Sequence, residues 1–217
     1  SLFLGSALQQ VALLYTDVAN AAFFTIFYVP LVPIIIFLFK RTSIHWSVWP
    51  SVVLCLIGGF LLTNFYDATV RLGDGLVILG ALFWSTHIIF TGIIVNKYNL
   101  PLTLGAAQTF IVALFSFVIA FIYEEFVYLE IMKEINSILY AGILSGGFAF
   151  VLQIYAQKNI TPAPAAIIFS LEGVFATIAA WYILNQILDI NNLLGCLFIL
   201  CGVLLSQLLP LMKKKYS

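Results

Sequence analysis

The sequence is poor in charge. Only 8% of its 217 residues are Asp, Glu, Lys or Arg, and 63% are hydrophobic, whereas soluble domains of this size usually carry about a quarter charged residues. The mean hydropathy is +1.12. A chain of this composition cannot cover its surface with solvated side chains, so its surface must face lipid. We therefore predict an integral membrane protein whose main partner is the lipid bilayer.

Patterns typical of several other classes are also missing. Cys55, Cys196 and Cys201 lie in apolar runs without the paired spacing of a metal site, so we interpret them as packing residues and expect no metal and no cofactor. No basic block indicates a nucleic-acid partner. GxSxG, HExxH, GxGxxG and P-loop motifs are absent from the sequence, which argues against an enzyme and against ATP-driven transport by this chain alone.

Eight apolar segments of transmembrane length are present instead. Lipid offers the backbone no hydrogen-bond partners, and these runs do not alternate like barrel strands, so they predict helices. The expected fold class is all-α, a polytopic integral membrane helical bundle. The segment 124–134 predicts a short interfacial helix. The predicted spans are 1–15, 18–39, 46–64, 75–95, 102–123, 137–156, 162–184 and 191–211.

The connecting charges predict the orientation. Bases dominate one set of alternate loops and the C-terminal tail, and acids dominate the other set. By the positive-inside rule, the basic set and the C-terminus are cytoplasmic, in a multi-pass protein of the cell (inner) membrane. The basic set is Lys40-Arg41, Lys97, Lys158 and Lys213–Lys215; the acidic set is Asp17, Asp67 and Asp74, the segment 124–134, and Asp189.

Residues 1–63 align with residues 145–207 without gaps, which indicates an internal repeat. Leu8-Gln9 falls on Leu152-Gln153, and Ala21-Ala22 falls on Ala165-Ala166. The predicted topology places the polar turn of the first copy outside and that of the second inside. The two copies therefore cross the membrane in opposite directions, a pattern typical of many secondary transporters.

The repeat also predicts how the chain divides. Residues 1–66 hold the last three spans of a first unit, residues 72–211 hold the five spans of a second unit, and residues 212–217 form a basic cytoplasmic tail. Because the first unit shows three spans against five, and the chain begins with Ser1 rather than Met, we expect two further spans upstream.

Several short stretches of the sequence follow a known family pattern. They are Gly80-Ala81-Leu82-Phe83-Trp84, Ala156-Gln157-Lys158, Thr161-Pro162, Ser170-Leu171-Glu172 and Gly202-Val203-Leu204-Leu205. On these stretches the chain resembles the EamA family of the drug/metabolite transporter superfamily. The resemblance implies ten spans as two inverted five-helix repeats, cytoplasmic termini, and a central substrate pathway. The sequence departs from the pattern at Gly173, where the family usually has Pro, and at Asn185-Gln186, where Gly-Glu is common.

Glu172 is the only acid predicted inside a span. It lies about ten residues into the segment 162–184, which is near the middle of a ~30 Å hydrocarbon layer. One interpretation is a cation or proton site on the pathway, since burial favours the protonated form of an acid and permits proton exchange. The other is a protonated glutamate that only bonds a neighbouring helix; we favour the functional interpretation. Tyr28 occupies the matching position of the first copy.

Four further residues are predicted to line the pathway. His87, beside Trp84, could bond substrate or relay a proton, although a packed histidine explains it equally well. Gln108 and Gln153 lie deeper in their spans than Gln9 or Gln157, which we interpret as residues that join helices.

These observations predict a secondary transporter of small organic metabolites that works by alternating access, with proton coupling through Glu172 left open. The first alternative is a membrane protein that does not transport and uses the bundle to associate with partners. An intramembrane enzyme built on His87 with Ser85 or Glu172 has too little support. Besides the bilayer, the expected partner is a small-molecule substrate, and a homodimer is left open.

Overall fold

The computed structural model describes residues 1–40, 44–63 and 71–215. Two of the charges that predict the orientation, Arg41 and Asp67, lie outside these residues, as does the predicted boundary at residue 66. All regular secondary structure in the described residues is helical, and a π-helical segment, Tyr140–Ala149, connects α8 to α9. The helices are α1 Leu2–Ala12, α2 Val18–Thr25, α3 Tyr28–Lys40, α4 Val48–Leu62, α5 Leu72–Tyr98, α6 Pro101–Tyr123, α7 Tyr128–Lys133, α8 Ile135–Leu139, α9 Phe150–Gln157, α10 Pro162–Phe169, α11 Leu171–Leu184 and α12 Ile190–Lys215.

The predicted all-α membrane fold class is confirmed. Six helical segments of the described chain are long and apolar enough to cross a membrane. Two more, α1 and α4, are apolar but have only 11 and 15 residues. The predicted interfacial segment 124–134 contains the short helix α7. The six long segments are Val18–Phe39, Leu72–Tyr98, Pro101–Tyr123, Ile135–Gln157, Pro162–Ile183 and Ile190–Met212.

The helices form two compact units. Unit 1 contains Phe3–Ile89 and the chain from Thr161 onward, and unit 2 contains Phe90–Ile160. Unit 1 therefore holds helices from both predicted repeats. In unit 2, the Asn96 amide donates to the carbonyl of the buried Gln157 at 3.2 Å, and Gly105 lies against Val151.

Two of the long segments in unit 1 are each interrupted, and the interruptions correspond. α2 and α10 have eight residues each, and each follows a residue in extended conformation, Asp17 (φ −77°, ψ 151°) or Thr161 (φ −68°, ψ 152°). The residues directly after the two helices, Ile26 (φ −57°, ψ −15°) and Ser170 (φ −60°, ψ −14°), also have nearly equal backbone angles. Both pairs have the 144-residue separation that relates Tyr28 to Glu172. This is also the offset at which the sequence aligns with itself.

Pro30 causes the first interruption, which lies between α2 and α3. In a regular helix the Ile26 carbonyl would accept a hydrogen bond from residue 30, but Pro30 has no N–H. The carbonyl accepts instead from the Val29 N–H at 2.9 Å, which tightens this turn.

The second interruption has the same backbone pattern without a proline. The Gly173 N–H donates to the Ser170 carbonyl at 3.2 Å, and the Ser170 hydroxyl donates to the Ile167 carbonyl at 2.6 Å. A serine hydroxyl that bonds the preceding turn bends helices in this way. Glu172 therefore lies in the first turn of α11, whereas the apolar run predicted that it lies in the middle of one continuous helix.

α4 and α12 pack closely in unit 1 because glycines face each other across the contact. A Cβ added at Gly58 would lie 2.6 Å from Ile199 Cγ1 and 2.7 Å from the Gly195 carbonyl oxygen. Small residues of this kind let two helix backbones approach closely.

The same contact occurs a second time with the helices exchanged. A Cβ added at Gly202 would lie 3.0 Å from Cys55 Sγ and 2.9 Å from the Ser51 carbonyl oxygen. Contacts that recur with their partners exchanged are the property of a two-fold interface. At the 144-residue offset the corresponding residues are Gly58 and Gly202, Ile199 and Cys55, and Gly195 and Ser51.

We expect the substitution Gly58→Ala to destabilise the protein by about 1–3 kcal/mol, because the added methyl group meets the backbone of α12, which cannot rotate away. Gly142→Ala is the matched control, since a Cβ at Gly142 meets no atom of the described residues within 4 Å. Thermal unfolding in detergent measures the difference. Equal melting temperatures for the two variants would contradict the described α4–α12 contact.

Candidate functional site

Tyr28 and Glu172 meet in unit 1. The Tyr28 hydroxyl donates to Glu172 Oε1 at 3.4 Å. The Tyr28 side chain is buried, with 4% of its surface exposed, whereas Glu172 is exposed. The predicted pair of matching positions is therefore a contact pair, which the alignment alone did not indicate.

Among the described residues, no Lys, Arg or His forms an ion pair with Glu172. Within the membrane-length segments packed against α11, the ionisable side chains are the thiols Cys55 of α4 and Cys196 and Cys201 of α12, none of which can carry a positive charge. The lysines of α12 follow its apolar segment, which ends at Met212. The position of Glu172 at the N-terminal end of α11 supplies only the partial positive charge of the helix dipole.

Two polar contacts hold the surroundings of the pair in place. The Ser170 hydroxyl lies 3.4 Å from Cys55 Sγ, which joins the interruption between α10 and α11 to α4. On the other side, the Ser85 hydroxyl of α5 lies 3.5 Å from the Tyr28 carbonyl oxygen. Ser170, Cys55 and Ser85 are all buried. The predicted packing role of Cys55 agrees with this burial.

Trp84 and His87 form a second pair in unit 1. Their rings meet edge to face with centroids 6.2 Å apart, and His87 is buried. The Trp84 indole N–H donates to Gln9 Oε1 at 3.2 Å. A Cβ at Gly5 would lie 3.2 Å from the indole ring, so α1 has a glycine where the ring packs. Gln9 thus joins α1 to α5.

Gln108 and Gln153 belong to unit 2 and are both half-buried. The amide nitrogen of Gln108 is shielded from solvent and donates to no described residue. A buried amide without a hydrogen-bond partner lowers the stability of the fold, so Gln108 is a candidate for contact with a ligand or water. The pathway role of both glutamines stays a prediction.

Sequence reasoning missed the environment of Asp74, which it treated as a loop charge. Asp74 is 1% exposed and lies in the first turn of α5. Its carboxylate accepts hydrogen bonds from the Thr16 hydroxyl, from the Asn20 amide at 3.2 Å, and from the Arg71 N–H at 2.8 Å. This burial is possible because the polar segment from Thr16 to Asn20, which is distant in sequence, lies close enough in space to donate hydrogen bonds to the carboxylate. A Cβ at Gly73 would lie 2.6 Å from the Ala12 carbonyl oxygen, so glycine is required for that proximity.

We expect Asp74→Ala to lower the free energy of unfolding by about 2–4 kcal/mol, since buried donors lose their shared charged acceptor. Asp17→Ala is the control: Asp17 pairs with Arg71 at 2.8 Å, but both side chains are about half exposed, and such pairs contribute about 1 kcal/mol or less. Denaturant unfolding of the two variants gives the comparison. A larger decrease in the free energy of unfolding for Asp17→Ala than for Asp74→Ala would mean that the exposed pair, and not Asp74, joins α1 and α2 to α5.

Comparison with known proteins shows the family. The model of the EamA-like transporter family matches residues 71–208. A transporter of uncharacterized function from Archaeoglobus fulgidus is 31% identical over 211 residues, covering 95% of this chain and 66% of that protein. The uncharacterized transporter YoaV of Bacillus subtilis is 26% identical over 141 residues, covering 64% of this chain and 48% of YoaV. The chain thus spans two-thirds or less of the length of these relatives.

A solved crystal structure has the same fold, with a TM-score of 0.82 and 16% identity, over 96% of this chain and 75% of that chain. Members of the matched family are transporters rather than enzymes, and the six apolar segments of membrane length agree with a multi-pass membrane protein. The chain belongs to the EamA-like transporter family.

Proposed function

We propose that the protein is a secondary transporter of small organic metabolites that works by alternating access, with the Tyr28–Glu172 pair at its substrate site. The observation that carries the proposal is the hydrogen bond between these two residues, which occupy the same position in the two copies of the repeat. In this proposal the chain lies in the cell membrane with a cytoplasmic C-terminus.

The location of Glu172 supports a pathway. It lies within the segment Pro162–Ile183, which is long and apolar enough to cross the membrane. A carboxylate facing hydrocarbon costs several kcal/mol, so acids in spans face the protein interior or a water-filled cavity. Glu172 is exposed and has no basic partner among the described residues, so we propose that its face of α11 borders a water-filled cavity.

The repeat supports alternating access. Two equivalent residues of a two-fold arrangement touch each other only at its axis, and the exchanged glycine contacts of α4 and α12 point to the same axis. In inverted-repeat transporters the substrate site lies near the midplane, where the repeats meet. We therefore assign the substrate site to Tyr28 and Glu172. Trp84 and His87 are proposed to border the same pathway.

Proton coupling belongs to the same proposal. A membrane-embedded carboxyl group without a basic partner is neutral when protonated and needs a cation when it is not. Protonation and release at Glu172 can therefore accompany each transport cycle.

Flux measurements test the proposal. The full-length protein is reconstituted in liposomes and offered a panel of radiolabelled cationic, neutral and anionic metabolites. Accumulation of at least one solute above that of protein-free liposomes is expected, and an imposed pH gradient should change it. Background flux for the whole panel, from protein that is correctly folded, would refute transport.

A further inference from the structure

We infer that the substrate is a small organic cation of charge +1, and that it exchanges with one proton at Glu172. The inference rests on the proposed transport function and assigns the chemical class of the solute. It follows from the charge, the hydrogen bonds and the shape of the surface around Glu172.

The charge around Glu172 selects a cation. The spans that pack against α11 contain no Lys or Arg, and no described base pairs with Glu172. An anionic solute would meet a carboxylate and no positive group. A bound cation, in contrast, neutralises the single negative charge that the span carries into the membrane.

The hydrogen bonds leave room for that cation. Glu172 accepts one bond, from the Tyr28 hydroxyl, and at 3.4 Å this bond is long compared with the usual ~2.7 Å for a hydroxyl donor. An ionised carboxylate has about four acceptor positions. The other carboxylate positions are therefore open to a solute cation, which pairs with the negative charge whether or not it carries N–H groups. The described residues on the same face of α11, Phe175, Ala176 and Ala179, offer no side-chain donor or acceptor to a neutral polyol.

The surface beside Glu172 suits an apolar body. Phe175, one turn along the same face of α11, is 66% exposed, and Ala176 and Ala179 on this face are exposed too. Residues three, four and seven positions apart share a helix face. An aromatic ring next to a carboxylate favours organic cations, while the two alanines leave space for the body of the solute.

The exchange is balanced in charge and protons. When the cation arrives, the O–H bond of the protonated Glu172 breaks, the proton leaves to water on that side, and the carboxylate pairs with the cation. On the other side the reverse happens: the cation leaves and a proton rebinds. Both loaded forms of the site are neutral, so one cation moves against one proton without net charge transfer.

The experiment uses the full-length protein in liposomes that contain the pH dye pyranine. The probe is phenyltrimethylammonium, a permanent cation; benzenesulfonate is the matched anion of similar size. We expect the external cation to make the interior alkaline, at a rate that a membrane potential does not change. An interior more acidic by one pH unit should sustain about tenfold accumulation of radiolabelled cation, as one-for-one exchange requires.

Two variants complete the test. Glu172→Gln should slow the exchange by about thirtyfold or more, and Asp17→Asn, an exposed residue away from the site, should leave it unchanged. Exchange that persists in Glu172→Gln, or equal responses to cation and sulfonate, overturns the inference. Flux of only neutral or anionic metabolites also overturns it but leaves the proposed function standing. Background flux for every solute refutes both.

Discussion

Replacing Glu172 with glutamine is expected to reduce transport by about thirtyfold or more, which is the effect of removing one partner from a desolvated charge pair. The fold should survive, because glutamine has nearly the same shape and its amide oxygen can still accept a hydrogen bond from the Tyr28 hydroxyl. Loss of transport would then come from the missing charge and not from a rearranged helix.

The measurement compares solute flux and melting temperature for the same purified protein. Tyr28→Phe is the companion variant: it removes the hydroxyl but keeps the acid, so it should weaken transport less than Glu172→Gln. A Glu172→Gln variant with wild-type flux and an unchanged response to pH would assign Glu172 to structure alone.

Exchanging the two residues is expected to have the second large effect. Each single variant, Tyr28→Glu or Glu172→Tyr, should lose transport, the first because two acids then meet and the second because no acid is left. The double variant should recover to within about tenfold of wild type, since it again places one acid beside one tyrosine where the two copies of the repeat meet. Recovery of transport in the double variant would show that the two positions are energetically coupled, which the single variants cannot show.

A control moves the acid away from the axis. In Leu31→Glu combined with Glu172→Leu, the carboxylate lies one turn farther along α3 and should not restore transport. Melting temperatures of all variants separate misfolding from loss of function. If the Tyr28/Glu172 exchange fails while its fold is intact, the two positions are not equivalent in transport, and the two-fold interpretation of the site is wrong.

Much of the fold could be predicted from the sequence, because membrane insertion leaves so few solutions. The apolar runs predicted helices, and the six segments long enough to cross the membrane fall within or around predicted spans. The ungapped self-alignment predicted that Tyr28 and Glu172 correspond. Helix ends were less predictable: α1 ends at Ala12, before the end of the apolar run.

The residues of the proposed site were selected from the sequence, but their contacts were not predicted. An acid in a span drew attention to Glu172, and its role stays a prediction. The interruption at Ser170 was not predicted, since it depends on one hydroxyl and a glycine in place of a proline. The burial of Asp74 depends on donors 54 and 58 residues away, and no local pattern in the sequence indicates such a contact.

The two interrupted helices differ in a way that concerns their mechanical behaviour. At Ile26 the bend is enforced by the covalent ring of Pro30, so no rearrangement of hydrogen bonds can straighten it. At Ser170 the missing regular turn is replaced by a hydroxyl bond and a Gly173 bond, both of which can be exchanged for ordinary helical ones. The interruption at Ile26 is therefore fixed by covalent structure, whereas the interruption at Ser170 can convert reversibly to regular helix. The reversible interruption is the one beside Glu172.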